Sequence, residues 1–118
     1  MSEIQLLPAV REFLATPKRL LIGGQWVDAA SGKRFGVENP ATATQLCEVA
    51  EGEEADVDAA VAAARAAFEG PWRWETPARR GYLLFRLAEL IDAHREELAQ
   101  LITLENGKTI ACLLYTSP

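Results

Sequence analysis

The sequence predicts an α/β chain: a short amino-terminal helix, then β-hairpin strands, then three helices. Two observations carry this. Between Arg19 and Ala50, extended pieces are separated by Gly-Gly, Ser-Gly and Asn-Pro, the punctuation of strands and tight turns. From Glu53 onward, apolar residues recur at steps of three and four, the period of amphipathic helices.

Leu7 to Ala15 has the composition of a short helix, with Pro8 in the first turn and Pro17 as its stop. Three extended pieces follow: Arg19 to Ile22 running on through Gln25 to Val27, Lys33 to Val37, and Gln45 to Ala50. Gly23-Gly24 suits a tight turn or a bulge, and Ser31-Gly32 is read as a hairpin tip. Asn39-Pro40 marks a turn, because the residue before proline is pushed out of the helical region. Val57, Val61, Ala64 and Phe68 make the stripe of the next helix. Glu53, Glu54, Asp56 and Asp58 crowd its first turn, where the helix dipole favours negative charge. Gly70-Pro71 stops it. Thr76 as N-cap and Pro77 at the first position open another helix, striped by Leu83, Leu84, Leu87, Leu90 and Ile91. A break is expected near His94. Leu98, Leu101 and Ile102 carry the third helix, which Asn106-Gly107 closes with a left-handed cap.

The 118 residues suffice for one domain. A net charge of −5 with scattered Lys and Arg argues against a nucleic-acid partner. The longest run of large apolar residues, "YLLF", is far too short for a membrane span, and no secretory signal opens the chain. Cys47 and Cys112 lie too far apart for a small disulfide scaffold. A cytoplasmic protein is the expectation.

Chemistry is sparse. "GKT" at Gly107 to Thr109 is no phosphate loop: Ile102 stands where the first glycine belongs, and Lys108 follows a helix instead of opening one. No GxGxxG occurs. His94 is the single histidine, so a zinc site has no ligand set and a solvated helix-end role is expected. Cys47 reads as a small buried hydrophobe, and Cys112 has no histidine near it in sequence. Trp72 and Trp74 bracket Arg73 between two helices, a pattern that fits an aromatic binding platform or, the commoner case, an anchor of a loop against a core. Glu96-Glu97 reads as a solvated helix face. From these residues alone, the chain is a hairpin-plus-helices module without an active site.

Several strings in fixed order say more: "IGGQW", "NPAT", "VAEGEEADVDAAVAAARAAF", "RGYLLFRLAELI" and "LENGK". Together they resemble the start of an NAD(P)-dependent aldehyde dehydrogenase, from Arg19 to Ile110. "AVREFLATPKRLLIGG" resembles phenylacetaldehyde-type members more than others. The resemblance implies the amino-terminal piece of a Rossmann-like cofactor domain in a cytoplasmic homo-oligomer. It also implies oxidation of an aldehyde to an acid with NAD or NADP. In the family a cysteine thiolate attacks the carbonyl, a glutamate is the base, and an asparagine amide holds the oxyanion. The motifs carrying them lie downstream of "LENGK", so this chain is expected to supply no catalytic and no cofactor-binding residue. The rival reading is a complete small scaffold or interaction module.

One site is implied within the chain. Some members bind a monovalent cation through backbone carbonyls just before "NP" and an acidic side chain in "L-[DE]-N-G-K"; the matching positions are Val37, Glu38 and Glu105. Many members carry aspartate where Glu105 stands. Residues 1–110 follow the family pattern, whereas "ACLLYTSP" at 111–118 departs from it and is expected to be non-native. In a compact protein the apolar run at Cys112 to Tyr115 would be a strand entering a sheet. Without a local partner the tail is expected to be poorly defined or laid loosely on the helices, and Cys112 inherits no catalytic role.

Overall fold

The computed structural model describes residues 4–115. Ten elements follow in order: α1 (Pro8–Leu14), β1 (Leu20–Ile22), β2 (Gln25–Val27), β3 (Arg34–Asn39), β4 (Thr44–Ala50), α2 (Glu54–Glu69), α3 (Pro71–Trp74), α4 (Pro77–Ala93), α5 (Arg95–Asn106) and α6 (Ile110–Tyr115). The α/β class and its order of helix, hairpins and helices stand as the sequence predicts.

The strands form two antiparallel hairpins. Gly23 and Gly24, both at positive φ, close β1 onto β2, with Leu21 opposite Trp26. At the second tip, Asn39 does the turning. Its carbonyl accepts the amides of Thr42 and Ala43, and its side chain accepts the Ala41 amide at 2.9 Å. Val37 pairs with Cys47 but Glu38 pairs with Gln45, so the register shifts and Leu46 is the extra residue of a bulge. Lys18 adds to this hairpin alongside β4: its amide donates to Glu48 and its carbonyl accepts from Ala50, both at 2.8 Å.

Ser31-Gly32 is not a hairpin tip. It lies in the link between the hairpins, and the reason is distant in sequence: Asp56 at the start of α2 accepts the Ala30 amide at 2.8 Å. Gly32 then closes a tight turn onto the Ala29 carbonyl, and Ala29 is buried.

The helical half departs from three helices. Proline after Gly70 does not merely stop α2; it opens the single turn of α3, since proline's fixed φ suits a first helical position. The Cys112 to Tyr115 run is helical, not a strand. Thr109 prepares it, its side chain accepting the Cys112 amide at 3.4 Å, and Arg95 of α5 ties it down by donating to the Leu114 carbonyl at 2.7 Å. Residues 116–118 of the expected tail lie outside the described residues. The break at His94 and the left-handed Gly107, at φ 80°, stand where the sequence places them.

Buried apolar residues are few among those described: Val10, Ala29, Ala99 and Leu104. Val10 belongs to α1, which rests on α5, and Gln100 locks the contact. The Gln100 side chain, 3% exposed, accepts the Leu7 amide at 2.9 Å and donates to the Gln5 carbonyl at 3.3 Å. The stripes of α2 and α4 are uncovered: Val61 is 60% exposed, Leu84 68% and Leu87 53%. Trp74 of α3 is 78% exposed, so the tryptophan pair does not anchor a loop against a core.

Candidate functional site

The implied cation positions lie where α5 meets the second hairpin. Val37 and Glu38 are on β3, just before its tip, and Glu105 is in the last turn of α5. α5 packs against β3. At Gly107, just past α5, an added Cβ would sit 3.4 Å from Pro40 Cγ. Gly107 owes its glycine to its positive φ, since a Cβ would meet the proline ring only at ordinary contact distance. Val37 is half-buried, while Glu38 and Glu105 are exposed. The fold therefore brings the two segments against each other, across 67 residues of sequence from Glu38 to Glu105 (105 − 38 = 67).

Elsewhere the titratable groups serve the scaffold. Asp56, 7% exposed, accepts the Glu53 amide at 2.9 Å with one oxygen and the Ala30 amide with the other. These backbone bonds, first that from Glu53 and then that from Ala30, hold its carboxyl below the ordinary carboxylate value. Glu53 reaches Lys33 at 2.6 Å and raises the lysine's pKa through that hydrogen bond and its charge. Both side chains are largely in water, so the pair adds little stability. Glu53, Glu54, Asp56 and Asp58 line one shallow depression. Among the described residues, no group of three or more His, Cys, Asp or Glu is arranged to hold a metal.

His94 is exposed at the α4–α5 junction, and its Nδ1 lies 3.2 Å from Glu97. Glu97 is half-buried, so only Glu96 keeps the fully solvated position expected of both. Cys47 is half-buried on β4, and Cys112 is exposed on α6. The buried polar residue that sequence reasoning missed is Gln100. A glutamine one step from the Leu98 and Leu101 stripe carries no local sign that a distant backbone segment uses it.

The aldehyde dehydrogenase family profile matches residues 26–115. A phenylacetaldehyde dehydrogenase of Pseudomonas fluorescens is 48% identical over 105 residues, covering 88% of this chain and 21% of that protein. The mitochondrial aldehyde dehydrogenase of Homo sapiens is 51% identical over 92 residues, or 76% of this chain and 18% of that protein. Among solved structures, the NAD+ complex of a Bacillus cereus aldehyde dehydrogenase superposes with a TM-score of 0.94 at 48% identity. That superposition covers 98% of this chain and 24% of the other. The chain spans about a fifth of the length of the curated relatives it matches. With most of its length inside the family profile and its fold reproduced in a solved member, the chain belongs to the aldehyde dehydrogenase family.

Proposed function

We propose that this chain is the amino-terminal part of an enzyme that oxidises an aldehyde to a carboxylic acid with NAD or NADP. The observation that carries the reading is the ordered family match over residues 26–115. The NAD+ complex of the Bacillus cereus relative supports the cofactor. The nucleophilic cysteine, glutamate base and oxyanion-holding asparagine that the resemblance implies belong to motifs not found in these 118 residues. The chain's own part is structural: its hairpins and helices form one edge of the cofactor domain, and the open stripes of α2 and α4 pack on the rest of that domain. The test is aldehyde-dependent reduction of NAD+ or NADP+ by the enzyme that carries this chain as its first segment. Turnover with phenylacetaldehyde in excess of that with acetaldehyde is the expected result. No turnover with any aliphatic or aromatic aldehyde would overturn it.

Two properties of that enzyme belong to the same proposal, a homo-oligomeric state and a cytoplasmic location. Light scattering and cell fractionation test them. A monovalent cation held by the Val37 and Glu38 carbonyls and the Glu105 carboxylate is proposed as well. The packing of α5 on β3 supports it. Replacing sodium or potassium with a bulky organic cation should lower the enzyme's thermal midpoint, and E105A should abolish that difference. An equal ion response in E105A would remove the site. A departure from the native sequence after Ile110 is proposed too, although the family match runs on to residue 115. Sequencing the source gene across that junction decides it.

A further inference from the structure

We draw no further inference here: the strongest candidate, the open apolar groove between α1, α4 and α5 lined by Val10, Phe13, Leu90, Ile91, Leu98 and Leu101, is an unpartnered face, and nothing in the structure shows what covers it.

Discussion

Asp56 stands between two backbone amides, those of Glu53 and Ala30, and so fixes both the start of α2 and the link between the hairpins. Its carboxyl titrates below its ordinary value of 3.8 in the folded chain. A folded pKa below the unfolded one gives stability that is present above 3.8 and lost as pH falls through the folded value. D56N keeps one acceptor but turns an amide N–H₂ toward a backbone donor. The variant should melt lower than wild type at neutral pH, and the gap should close in strong acid. A gap that persists unchanged into acid would refute the assignment. Gln100 gives a second prediction. Q100A leaves the Leu7 amide and Gln5 carbonyl without their buried partner, a loss of about 2 kcal/mol. Hydrogen exchange at Leu7 and along α1 should quicken, while exchange in α4 stays as it was.

Helix α4 shows how much a local signal determines. Thr76 accepts the Arg79 amide at 3.1 Å and Pro77 takes the first position, and both were legible because capping is read from adjacent residues. T76A should cost about 1 kcal/mol, visible as lower helicity and thermal midpoint. Leu84, by contrast, is exposed, so L84S should change the stability of this chain by less than about 0.5 kcal/mol. In the whole enzyme the same change should be strongly destabilising if the proposed packing of α4 is right, and equal tolerance in both would refute that packing. What the sequence hid was non-local or ambiguous. Ser31-Gly32 has hairpin composition, but Asp56 reaches back across 26 residues to shape the link instead. A run as short as Cys112 to Tyr115 fits strand and helix equally, and Thr109 with Arg95 decides for helix. Val37, Glu38 and Glu105 were reachable only through the family resemblance. Spacing alone does not say that α5 returns to β3.

At the scale of the molecule, the chain extends 52 × 39 × 21 Å with a radius of gyration of 17.4 Å. A compact domain of this length would have a radius of about 13 Å. The difference has a physical source: a few buried side chains hold α1, α5 and the hairpins together, while α2 and α4 project with Val57, Val61, Phe68, Leu84 and Leu87 open to water. Large exposed apolar patches are rare on monomers and attract apolar ligands or one another. The 118-residue chain made by itself should therefore enhance the fluorescence of an apolar dye strongly and self-associate as concentration rises. It should also leave NAD+ and NADP+ unreduced in the presence of aldehydes, since it lacks the family's nucleophile and base motifs. The two readouts test different claims. A chain that binds no dye would mean that the helices find cover within these residues, against the uncovered stripes. Aldehyde-dependent reduction would mean that Cys47 or Cys112 acts as a nucleophile with groups in this chain, and the assignment of catalysis to downstream motifs would fall.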